Sequence, residues 1–314
     1  MVTAASVVAL SPRLGAVLPA AAARLLQDGL SLYADTDIPA ELAQRCGAQP
    51  VGDAVHGLLL TLDLRSGAAP HWVATGAAVL VTPEPRGAAL LDAVGVMDRL
   101  RSPGGCPWDA EQTHRSLMPY LIEETYELYQ ALEDGDTGAL REELGDVLLQ
   151  VLFHARVAQD APDGFDIDAV ATELVTKLVG RHPHVFAASE KVRTAADQEI
   201  RWEQLKGAEK RRESSVDGVA LAQPAAALAA KLAARTVKAA LPADLLPGHG
   251  SGTGGALFAL SATAKLAGED PEGALRCVAR RFADDVRAAE DSARAAGLDV
   301  GSLTPQQWRE HWPR

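Results

Sequence analysis

Five acidic side chains in two short runs are the residues of this sequence best suited to chemistry. Glu123, Glu124 and Glu127 stand in EETYE, and Glu143 and Asp146 in EELGD. Both runs favour helix, and residues three or four apart share a helix face, so Glu124 pairs with Glu127 and Glu143 with Asp146. The stretch at 134–138, Asp-Gly-Asp-Thr-Gly, reads as a tight turn between antiparallel helices. Closing that hairpin brings the two pairs together. Like charges about 4 Å apart repel by roughly 4 kcal/mol at an effective dielectric near 20. Several partly desolvated carboxylates so placed need a cation or protonation, and Arg141 is the one counter-charge close by in sequence. Oxygen ligands with no Cys nearby and no His in either motif select Mg²⁺, with Mn²⁺ as a substitute, over Zn²⁺.

A lone ExxE is usually a solvated acidic face. Here the motif is doubled, sits in a hairpin and abuts an apolar run. A di-iron bundle supplies Glu-x-x-His from two of its helices. The second motif ends in Asp146 and the nearest histidine, His154, lies two turns on, which argues against iron.

The elements that must position these groups can be read from periodicity. On the first helix Leu117, Leu121, Leu128 and Ala131 mark an apolar stripe, and Glu124 stands in it where a leucine would be expected. The second helix is almost wholly apolar over 147–153 and is expected to be buried, with Glu143 and Asp146 at its start. A third helix is expected over about 166–180, burying Ile167, Val170, Leu174 and Leu178. Lys177 and Arg181 flank that stripe one turn apart. They could reach substrate phosphates, or form an ordinary basic helix end favoured by the macrodipole. His182 and His184 bracket Pro183 in what reads as a structural turn. Residues 102–109 read as a rigid loop, with Asp109 as N-cap of the following helix and Gln112 completing a capping box. Trp108 either stacks on a base or plugs the bundle. Trp202 and Lys206, one turn apart on a charged helix, either close over substrate or simply pack.

The stretch from about 91 to 206 resembles the MazG family of nucleoside triphosphate pyrophosphohydrolases. The matching segments are MDRLRSPGGCPWDAEQTH at 97–114, YLIEETYEL at 120–128, REELGDVLLQVLFHARVA at 141–158, KLVGRHPHVF at 177–186 and WEQLK at 202–206. The resemblance implies an all-α, Mg²⁺-dependent enzyme that hydrolyses an NTP or dNTP to the monophosphate and diphosphate. It implies Glu124, Glu127, Glu143 and Asp146 as metal ligands, with Glu123 a further acidic residue of the site, taken here as the base that orients water. It also implies a homodimer of helical bundles and suggests clearance of aberrant nucleotides as the purpose. The other class of reading is a non-catalytic helical interaction module that retains the bundle. An interaction module has no need to bury five acids.

At 314 residues the chain has room for about two domains. A hydrophobic content of 47% supports real cores, and aromatics at only 4% suit alanine-rich helix packing. The net charge of −12 argues against binding a nucleic acid polymer. Three cysteines (Cys46, Cys106 and Cys277), with no CxxC, suggest reduced thiols. No apolar run reaches membrane-spanning length, and the start MVTAASVVALS lacks a basic region typical of a secretory signal. A cytoplasmic enzyme is the expectation.

The expected architecture is mainly α in three parts. Residues 1–88 read as a small α/β module, with strands at 6–11 and 57–64, more β structure over 71–83, and a helix over 19–30. It is too short for a complete tetrapyrrole-methylase-like domain and holds no glycine-rich cofactor loop, so methyl transfer is not expected. Residues 89–212 form the MazG-like catalytic helical domain. Residues 213–314 form a C-terminal helical region that reads as a degenerate second repeat. There ALFALSATAKLAGED at 256–270 lies over VLLQVLFHARVAQD at 147–160, which sets Gly252 and Gly255 where Glu143 and Asp146 stand. Trp308 and Trp312 share a helix face in the tail and are expected to pack on the body or a partner subunit.

Overall fold

The computed structural model describes residues 5–187, 194, 201, 213–248, 250 and 252–313. Trp202 and Lys206 lie outside the described residues. The chain divides into two compact units, 1–180 and 181–314.

The first unit opens with a five-stranded parallel sheet. Its strands are β1 (Ala5–Ala9), β2 (Leu32–Ala34), β3 (Gln49–Pro50), β4 (Gly57–Thr61) and β5 (Ala78–Val81), in the order β3-β2-β4-β1-β5. Alternation along β1 and β4 feeds two cores, as expected for a sheet covered on both faces. Val8, Leu58 and Leu60 pack with α1 (Ala20–Gln27) and α2 (Ala40–Cys46). Val7 and Leu59 pack with Ala69 and Trp72 of α3 (Ala69–Ala74). The buried Asp35 carboxylate accepts from the backbone N–H groups of Ala68 and Ala69 at 2.8 Å, satisfying the start of α3. The expected β structure over 71–83 is therefore half helix. Pro70 opens α3, Gly76 at φ +96° follows its end, and β5 occupies only the second half. Beyond β1, Arg13 bonds Glu84 at 2.6 Å and Asp92 at 2.7 Å. That clamp ties the sheet to α4 (Ala89–Arg101).

The helical part of this unit continues with α5 (Pro107–Glu111), α6 (His114–Asp134), α7 (Thr137–Gln159) and α8 (Ile167–Arg181). Helices α6 and α7 pack along each other, and α4 lies on α7. Their core is Met97, Leu117, Leu152 and Phe153, with Ile167 of α8 against it. Two expected coverings fail. In α7, Leu149 and Val151 are 40% and 41% exposed. In α8, Leu174 and Leu178 are 47% and 39% exposed, leaving only Ile167 and Val170 half-buried on that stripe. An apolar stripe in the sequence does not by itself mean burial by its own chain.

The second unit contains the short α9 (Pro183–Phe186), then α10 (Ala225–Lys238), α11 (Gly252–Leu266), α12 (Pro271–Ala295) and α13 (Pro305–His311). His182 and His184, expected in a turn, sit at the start of α9, rings 5.6 Å apart. Helix α10 packs along α11 through small residues such as Ala230, Ala233 and Ala262. Trp312 lies 5.9 Å from Phe282 of α12 and 6.4 Å from Trp308, so the tail packs on the body of its own unit.

Candidate active site

The α6–α7 hairpin is specified at its turn. Gly135 ends α6 in the left-handed region at φ +68°, which favours glycine. Asp136 caps α7, its carboxylate accepting from the Gly138 and Ala139 N–H groups at 2.8 and 3.1 Å. At the other end Thr113 and Ser116 form the capping box of α6. The expected Asp109–Gln112 box is not formed. Helix α5 already begins at Pro107, which places Asp109 inside it, while Gln112 follows its end.

Within this frame, Glu124, Glu127 and Glu143 each bring one carboxylate oxygen to within 4.8 Å of the others. Among the described residues they are the one group of three or more acidic, His or Cys side chains so gathered. Glu124 and Glu143 are half-buried, as is Asp146, whereas Glu123 and Glu127 are exposed. The five acids are thus not a buried set. Burial pushes the Glu124 carboxyl above the ordinary range, and the charges of Asp146, Glu127 and Glu123 and a hydrogen bond to Glu127 act the same way. Burial also raises Glu143, with Glu127, Asp146 and Glu142 adding repulsion. The charges acting on both groups are anions. Arg141 is exposed and does not offset them. The donor set fits a hard cation. Oxygens bonded to Mg²⁺ at about 2.1 Å lie no more than about 4.2 Å apart, so a slight closure of the trio suffices.

The remaining expected residues that are described lie on α5 and α8. Lys177 is exposed and Arg181 buried, one turn apart on α8. Trp108 does not plug the bundle. It is 50% exposed, edge-on to Tyr120 and Phe153 at 6.0 and 6.2 Å.

Two features escaped the sequence reading. Arg101, whose side chain is 6% exposed, donates to the carbonyls of Asp109 and Gln112, pairs with Asp160 at 3.0 Å and lies over Phe153. It fixes the 102–112 loop, where a Cβ on Gly105 would run into the carbonyls of Arg99 and Leu100. His114 and His154 stack with Nδ1 atoms 2.8 Å apart, closing the end of the hairpin far from its turn. The available signal was register: His114 opens α6, and His154 sits two turns beyond Asp146 on an antiparallel partner.

A family model described as the MazG nucleotide pyrophosphohydrolase domain matches residues 112–186, and one described as the MazG N-terminal domain matches residues 5–80. A nucleoside triphosphate pyrophosphohydrolase of Mycolicibacterium smegmatis is 40% identical over 327 aligned positions, covering 98% of this chain and 95% of that protein. The chain belongs to the MazG family. Another relative, the nucleoside triphosphate pyrophosphohydrolase/pyrophosphatase MazG of Thermotoga maritima, is 32% identical across 70% of this chain and 93% of its own length. An uncharacterized 26.1 kDa protein of Streptomyces cacaoi is 54% identical across 65% of this chain and 84% of its own. The MazG domain match spans all of α6, α7 and α8, and so contains the whole carboxylate cluster.

Proposed function

We propose that this protein hydrolyses nucleoside triphosphates, NTP or dNTP, between the α- and β-phosphates to give the monophosphate and diphosphate, with Mg²⁺ as cofactor. The observation that carries the reading is the Glu124–Glu127–Glu143 trio, with Asp146 beside it, held in a half-buried site with anions as neighbours. The names of the Mycolicibacterium and Thermotoga relatives support the same substrate class.

Glu124, Glu127, Glu143 and Asp146 would hold the metal. When bound, it supplies an acidified water and neutralises charge on the triphosphate. Glu123, exposed about 100° round α6 from Glu124, accepts the proton of the attacking water on its carboxylate. Lys177 and Arg181 bind phosphate oxygens, and the open face of Trp108 receives the base. Trp202 and Lys206 extend the substrate contacts. The exposed Met118, Ile122 and Leu132 of α6 and Leu174 and Val175 of α8 meet a second copy of the chain in a homodimer. The C-terminal helical region at 213–314 is read as a degenerate second repeat whose glycines at 252 and 255 leave it without ligands at those positions. Clearance of aberrant nucleotides is the purpose this chemistry suits. The interaction-module reading is disfavoured by mutually repelling carboxylates that serve no packing role.

The test is turnover of each common NTP and dNTP by the purified chain with Mg²⁺ or EDTA. Monophosphate and diphosphate are expected only with Mg²⁺, and neither in Glu124→Ala. Diphosphate nucleoside and orthophosphate, or turnover in EDTA, would reject the proposal.

A further inference from the structure

Gln150 is the polar side chain that the apolar part of the α6–α7 seam does not explain. It is 4% exposed, and its Oε1 is buried with no donor in reach. It stands on the face of α7 that carries Glu143 and Asp146, one turn beyond Asp146, with Leu152 and Phe153 of the core just after it. Long side chains in a helix lean toward its N-terminus, over the preceding turn, which aims Gln150 back at Asp146 and the carboxylate trio.

The chemistry of the site limits what can meet that oxygen. It is an acceptor, and the neighbouring ionised carboxylates only accept. Leu117 and Leu121 on the facing stripe of α6 offer nothing polar. No protein group donates to it in the structure, which leaves the position open to a donor from outside the protein. A hard cation held by a few carboxylates keeps several of its waters, and each such water is a donor. We infer that Gln150 is a positioning residue whose Oε1 accepts a hydrogen bond from a metal-bound water, fixing the ion and its coordinated water against the α7 side of the site. This deepens the metal-dependent reading above and rests on it. The competing occupant is an ordinary buried water bridging Gln150 Oε1 to His154 Nε2, itself buried without a partner one turn further on.

The experiment is Mn²⁺ titration of the full, nucleotide-free chain, followed by electron paramagnetic resonance. It compares wild type, Glu124→Ala, Gln150→Leu and Gln150→Glu, with thermal unfolding in EDTA measured alongside. Outer-sphere partners typically carry about 10- to 100-fold in metal affinity. Gln150→Leu is expected to weaken Mn²⁺ binding by about that factor while its unfolding temperature in EDTA stays level or rises. Gln150→Glu keeps the acceptor and is expected to bind Mn²⁺ at least as tightly as wild type. Unchanged affinity in Gln150→Leu, with wild type binding and Glu124→Ala not, would overturn the role of Gln150 alone. Absence of binding in wild type would overturn the metal reading with it. Should Gln150→Leu fail to fold, Gln150→Glu decides: weakened binding there overturns the inference.

Discussion

Replacing Glu124 with Gln keeps the shape of the side chain and removes one charge from the trio. In the metal-free protein this should be stabilising. Two unit charges 4.8 Å apart repel by about 3.5 kcal/mol at an effective dielectric of 20 and by about 0.9 kcal/mol in bulk water. Glu124 is half-buried, so solvent screening draws the relief toward the lower end, about 1–2 kcal/mol. For a protein of this size that corresponds to a rise of about 1.5–3 °C in unfolding temperature. The pH dependence follows from the raised carboxyl of Glu124. Its folded pKa lies above the unfolded value of about 4.3, so the folded state binds its proton more readily. The wild-type penalty is absent below that pH and develops as pH rises through the folded value. The advantage of Glu124→Gln should therefore be full near neutrality and vanish near pH 4. Calorimetry of both proteins in EDTA at the two pH values measures it. A variant no more stable than wild type at pH 7, or equally advantaged at pH 4, would refute the claim that anionic repulsion at this cluster goes unrelieved without metal.

Three further outcomes are expected. Arg101→Ala strands the Gln112 carbonyl, takes one of two donors from the Asp109 carbonyl and leaves Asp160 with Arg156 alone, and should lower stability by roughly 1–3 kcal/mol in chemical denaturation. Burial and the neighbouring His114 hold His154 below its ordinary range. The stability it confers is thus present above about pH 6.5 and lost as pH falls through the folded value. A His154→Phe variant should show a flatter stability profile over that acidic interval. Ile122→Lys, on the exposed α6 face, should shift sedimentation from dimer to monomer if that face joins two copies, and an unchanged dimer would place the interface elsewhere.

The hairpin was legible because its signals are local. Two ExxE-type pairs, a Gly-Asp turn and a charge inside an apolar stripe determine which face Glu124 takes, and the described turn and trio agree with them. The N-terminal module was legible where strands are continuous apolar runs, as in β4, and lost where they are short. β2 and β3 have three and two residues, and α3 interrupts a β-rich string because Pro70 favours the start of a helix. The extent of burial on α7 and α8 was not legible, since an apolar residue such as Leu174 looks the same whether its own chain or a second copy covers it. Long-range polar contacts such as Arg101 to the 102–112 loop were missed for a related reason. They depend on where two distant segments meet, and no periodicity encodes that.

Hydrolysis in ¹⁸O-labelled water tests the central claim most directly. If the water activated at the Glu124–Glu127–Glu143 site attacks the α-phosphorus, the label appears in the nucleoside monophosphate and the diphosphate stays unlabelled, with no label incorporated by Glu124→Gln. Label in the diphosphate, or release of labelled orthophosphate, would contradict the account.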